Sequence, residues 1–102
     1  MQKKKLYLRN YILQKRRIIR LNEMILTTPK NKKRYSAQIK ECEKTAEEIE
    51  KKISRLDNDL LREVLFLKYV CGKSLVEISD IISYSRRHTE RLHIMALEEF
   101  KL

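Results

Sequence analysis

The sequence predicts an all-α protein, with an N-terminal antiparallel helical hairpin or coiled coil over residues 1–56 and a three-helix helix-turn-helix domain over residues 57–102. Three observations carry this expectation. The chain has one Gly and one Pro, which leaves few positions for tight β turns. Apolar residues between positions 39 and 60 step by 3 and 4 without a break. Helix-stop and helix-start signals alternate through the last third of the chain.

The first element is a helix over residues 3–27. Tyr7, Tyr11, Ile18, Leu21 and Ile25 share one face, with Gln14 filling the gap, and Leu8, Ile12, Ile19 and Leu26 widen it. Lys15, Arg16, Arg17 and Arg20 surround its middle. Residues 27–35 read as a loop, because Pro29 disfavours helix at Thr28 and has no N–H to donate. Lys30, Lys32, Lys33 and Arg34 make this loop a basic tip, either solvated or touching phosphates.

Ser36 is the expected cap of a second helix. Ile39, Cys42, Ala46, Ile49, Ile53, Leu56 and Leu60 form its heptad seam, and Glu41, Glu43, Glu47, Glu48 and Glu50 leave it an acidic surface. The seam admits two pairings. It closes on the first helix as a hairpin, with the acidic surface neutralising part of the N-terminal charge, or it joins a second chain as a homodimer through Ile39, Ala46, Ile49, Ile53 and Leu56.

Asp57 or Asp59 is the expected cap of a third helix running through Leu60, Leu61, Val64, Leu65, Leu67 and Tyr69. Gly72 suits the left-handed conformation that stops such a helix. Ser74 and Glu77 have capping-box spacing and open a short helix with Leu75, Ile78, Ile81 and Ile82 inward. Ser79 is small enough for a close helix crossing. After a break at Ser83 and Tyr84, Ser85 caps a last helix with Thr89, Leu92, Met95 or Ala96, and Phe100 as its apolar stripe. A support helix, a Gly turn, a short helix, a tight turn and a longer helix together make a helix-turn-helix.

The charge is unevenly placed. The formal net charge is +10, which favours a polyanionic partner. Residues 1–35 hold twelve Lys/Arg against the single acid Glu23, a net of +11. Residues 36–63 net −2 and residues 64–102 net +1. The attraction therefore concentrates away from the last helix.

No apolar run approaches the roughly 18 residues a membrane span needs. The basic N-terminus lacks the apolar core of a signal peptide, so a cytoplasmic location is the expectation. Cys42 and Cys71 fit no zinc spacing and read as free thiols of a reducing compartment. His88 and His93 are five apart, not the four that align two metal ligands on a helix face. No catalytic constellation is visible, and neither an enzyme activity nor a cofactor is expected.

Residues 60–97 carry a family resemblance. The matching residues are Arg62, Glu63, Val64 and Leu65; Leu67, Lys68 and Tyr69; Gly72, Lys73 and Ser74; Glu77, Ile78 and Ser79; then Ile82, Tyr84, Ser85, Ala96 and Leu97. In this pattern the segment resembles region 4 of bacterial sigma factors. The stretch from Tyr84 onward, YSRRHTERLHIMAL, looks closer to small phage-encoded transcription regulators of the ArpU and RinA kind. Three positions depart from the pattern. Ser79 replaces the usual Ala. Thr89 stands where Val is common, and its hydroxyl needs a partner. Met95 occupies a position that is often basic. The chain has no room for the second promoter-reading segment of a full sigma factor. The resemblance thus implies promoter binding or activation of RNA polymerase in a bacterial host cell, and a full sigma activity is not expected.

A recognition helix enters the major groove N-terminus first. Arg86, Arg87, Glu90 and Arg91 are therefore the expected base contacts, Arg to guanine and Glu to cytosine N4. Lys73, Ser74 and Ser85, with His88 and His93, are the expected phosphate contacts, joined by Lys30, Lys32, Lys33 and Arg34 of the tip. For His88, packing on the support helix is an equal alternative. Two other function classes stay open. The fold could grip RNA polymerase or a sigma partner with weak DNA contact, or the basic N-terminus could bind nucleic acid without sequence preference.

Overall fold

The computed structural model describes all 102 residues and contains five α-helices and no strand. Helix α1 spans Gln2–Thr27 and α2 spans Lys32–Ser54. They form an antiparallel hairpin: Tyr11 Oη donates to Glu50 Oε1 at 3.1 Å, and Lys52 Nζ lies 4.7 Å from the Tyr7 ring centre. Burial and the Glu50 carboxylate push the Tyr11 hydroxyl up to about 12.

The connection is tighter than the loop expected over residues 27–35. Only Thr28 stands outside a helix, Pro29–Asn31 forms a single 3₁₀ turn, and α2 begins at Lys32, not after Ser36. Pro29 explains this. Its preset φ suits the first position of a helical turn, where its missing N–H would be unbonded anyway. Lys32, Lys33 and Arg34 consequently occupy the first turn of α2, the positive end of its dipole, with no acid beside them in that turn.

The heptad seam closes within the chain. Cys42, Ala46, Ile49 and Ile53 are buried, and Ile39 is half-buried. Leu8 and Tyr11 of α1 share their core and Leu21 is also buried, whereas Ile19 and Leu26, expected on the same face, are exposed. A dimer through Ala46, Ile49, Ile53 and Leu56 would therefore have to open the hairpin. The seam is also broken after Ser54, between its Ile53 and Leu56 positions. Asn58, not Asp57 or Asp59, caps α3 (Asp59–Leu65): its side chain accepts from the N–H groups of Leu60 (3.0 Å) and Leu61 (3.1 Å). That local bonding competes with continued helix and separates α2 from α3.

Helix α3 runs on into a widened π turn, Phe66–Val70, and stops at Gly72 with φ +72°. Helix α4 (Leu75–Ile82) carries the complete Ser74–Glu77 capping box. Ser83 takes the left-handed conformation (φ 61°), and α5 spans Arg86–Glu99.

One core of fifteen buried side chains draws on all five helices. It joins Leu8 and Tyr11 of α1, Ala46, Ile49 and Ile53 of α2, the inner face of α3 with its π turn, Ile78 of α4, and Leu92, Ala96 and Leu97 of α5, with Leu56 and Phe100 at its ends. The segments expected at 1–56 and 57–102 thus share their apolar interior. Lys4 ties the two ends of the chain together, donating to the Leu97 carbonyl (2.8 Å) and the Glu98 carbonyl (3.2 Å). This places a cation at the negative end of α5, where the dipole favours it. Beyond the core the hairpin continues as a stalk, and the molecule measures 52 × 25 × 21 Å.

Candidate nucleic-acid interface

The geometry of the α4–turn–α5 unit follows from its caps. Ser83, in the left-handed region, reverses the chain, and Tyr84 N–H donates to the Ser79 carbonyl at 3.2 Å. Ser85 Oγ then accepts from His88 N–H at 3.1 Å and starts α5. Thr89, Leu92, His93, Ala96 and Leu97 face inward. Arg86, Arg87, Glu90 and Arg91 are all exposed, so the first two turns of α5 present three cations and one carboxylate to the outside. None of the four belongs to an ion pair within the chain. The hydroxyl of Thr89 is satisfied by the Ser85 carbonyl at 2.8 Å, which resolves how Thr replaces an apolar residue at a fully buried position. Ala96, not Met95, completes the stripe, and Ile81 of α4 is half exposed, not inward.

The histidines differ. His88 is exposed and its ring centre lies 4.8 Å from that of Tyr84, so it stacks across the turn and stays available to a ligand. His93 contradicts the expected phosphate contact. It is buried, and its Nε2 sits 2.8 Å from Tyr69 Oη. The widened turn in α3 holds Tyr69 at that position. Burial, then the nearby positive charges of Lys68, Lys5 and Arg9, push the His93 imidazole down to about 4, so it is neutral at physiological pH.

Lys73 and Ser74 are exposed at the start of α4, as expected. The Ser74 side chain is committed to Glu77 N–H, and Glu77 in turn accepts from Ser74 N–H. Those hydrogen bonds hold the Glu77 carboxyl below its ordinary value. The structure does not bring the tip residues Lys30, Lys32, Lys33 and Arg34 to this unit. They sit at the far end of the hairpin, roughly 24 Å along α1 from Ile12, which packs against Gly72 beside the start of α4, at ~1.5 Å per residue.

Sequence reasoning missed what α1 adds. Its middle crosses the π turn and Gly72, with Ile12 Cδ1 3.5 Å from where a Gly72 Cβ would stand. This opens a groove of about 470 Å³ between α1 and the start of α4, whose charged walls are Arg9, Arg16, Lys68, Lys73 and Glu77. Partial burial, then the charges of Arg9 and Lys5, lower the Lys68 ammonium from its ordinary value. The signal was present as a stripe: Lys5, Arg9, Ile12 and Arg16 step by 4, 3 and 4 along one helix face. The acidic surface of α2 does not neutralise α1 by contact. The one ion pair within 4 Å in the chain joins Arg62 to Asp59.

No group of three or more His, Cys, Asp or Glu side chains is arranged to hold a metal, and no helix is long and apolar enough to cross a membrane. No family model, curated protein or solved structure matches the chain.

Proposed function

We propose that this chain is a sequence-specific DNA-binding transcription regulator, of phage or prophage origin, acting in a bacterial cytoplasm. The observation that carries the reading is the start of α5. A two-residue turn and a Ser85 cap fix its direction, its inner face is locked into the core, and Arg86, Arg87, Glu90 and Arg91 stand free on the outer face. This is the placement a helix needs to enter a major groove, with Arg to guanine O6 and N7 and Glu to cytosine N4. The resemblance of residues 60–97 to sigma region 4, and of the final helix to ArpU- and RinA-like regulators, supports the same reading. Arg87→Ala tests it: preference for the selected site over random duplex falls by about 1–3 kcal/mol, while binding to random duplex changes little. Equal loss on both sequences sinks the assignment.

A second reading, docking on RNA polymerase, is favoured by one observation. Val76, Ile81, Ile94 and Met95 leave apolar area exposed on α4 and α5. Capture of polymerase with no measurable duplex affinity at low salt selects that reading over the first.

A further inference from the structure

We propose that the groove between α1 and the start of α4 is a second DNA-contacting site, in which Arg9, Arg16, Lys68 and Lys73 take backbone phosphates flanking the bases read by α5. The proposal rests on the reading that α5 enters the major groove.

Four cations from three separate elements converge here: Arg9 and Arg16 from α1, Lys68 from the π turn, and Lys73 from the loop before α4. No carboxylate in the chain forms an ion pair with any of them. Glu77, the one acid in the groove, is already hydrogen-bonded to Ser74 N–H. The helix end itself is capped from within, so the attraction is that of the side-chain charges. Like charges held together without counter-charge raise the energy of the free protein, and a phosphodiester relieves it. The groove also lies at the N-terminal end of α4. When the second helix of such a unit lies in the major groove, the first crosses the sugar–phosphate backbone. Helix α4 is eight residues long, so the groove stands roughly 12 Å from the turn that leads into α5. The charge missing from residues 64–102 is thereby supplied by α1, whose contact with Gly72 fixes it beside α4.

The test is the salt dependence of duplex binding by the full chain and three variants. Each phosphate neutralised contributes about −0.9 to the slope of log K against log salt. The double variant Arg9→Gln, Arg16→Gln makes the slope shallower by about 2, leaves the ratio of selected-site to random-duplex affinity unchanged, and loses protection on one flank of the footprint. A control, Lys32→Gln with Lys33→Gln, removes the same charge from the hairpin tip and leaves the slope near that of the parent. Arg87→Ala changes the preference ratio instead. All substituted residues are exposed, and matching urea midpoints establish that each variant folds. A parent chain that binds duplex while the groove variant keeps its slope and flank protection overturns the groove and leaves the proposed function standing. So does a tip variant that loses as much as the groove variant. A groove variant that keeps its duplex slope but loses polymerase capture assigns the groove to a protein and overturns the proposal. A parent chain without duplex affinity removes both readings together.

Discussion

His93 makes stability depend on pH in a window set by its burial. The folded chain holds its imidazole at about 4, against an ordinary value of 6.5. Between those values the unfolded chain binds more protons than the folded one, so stability rises with pH. The contribution is fully present above about 6.5 and is lost as pH falls through about 4. One proton taken up on unfolding gives a slope of at most ~1.4 kcal/mol per pH unit, and a window of about 2.5 units gives on the order of 3 kcal/mol. The physical sources are desolvation of the ring, then the charges of Lys68, Lys5 and Arg9. Urea unfolding followed by circular dichroism at a series of pH values from 7 to 4 reads this directly. His93→Gln keeps a polar partner for Tyr69 Oη and removes the titration. The carboxylates titrate equally in both chains, so the difference between the two curves isolates the imidazole. The wild-type curve should fall more steeply across the window. Identical slopes would refute the buried neutral His93.

Three further outcomes follow from the packing. Ile49→Ala, at a position fully buried between α1 and α2, lowers unfolding free energy by about 2–5 kcal/mol, and a loss under 1 kcal/mol would mean the seam is not closed within the chain. Gly72→Ala costs about 1–2 kcal/mol through its positive φ alone, since a Cβ there meets Ile12 at an ordinary contact distance; a neutral substitution would contradict the left-handed stop. Asn58→Ala lowers stability by about 1 kcal/mol in denaturant titrations, while Asp57→Ala stays within about 0.5 kcal/mol; the reverse order would return the cap to Asp57.

The sequence made the elements legible wherever a local rule acts alone. The Ser74–Glu77 box, the Gly72 stop and the Ser85 cap each need only a few adjacent residues, and all three are present as expected. The hairpin was legible as one of two pairings, and the seam buries against α1. Structure departs from the local rules where two of them compete. Pro29 breaks a preceding helix but also starts a following one, so the connection is shorter than its residues suggest. Asn58 outcompetes its acidic neighbours because its carbonyl reaches two N–H groups at once. His93 was invisible because its partner, Tyr69, lies 24 residues away on another helix and is set by a widened turn that no local pattern marks. The groove is hidden for the same reason: Arg9 and Lys68 line one groove only because α1 crosses the π turn.

Selection of bound sequences from random duplexes by the full chain, followed by footprinting on the winners, tests the central claim most directly. The account predicts an enriched short motif whose guanines are lost as determinants in Arg87→Ala, lying in a protected major groove. It also predicts protection extending onto one flank without sequence enrichment there, where the α1–α4 groove holds phosphates. Pools that stay random after selection, or a motif unchanged when Arg86, Arg87 and Arg91 are all replaced by Ala, would contradict the assignment of α5 as the reading helix.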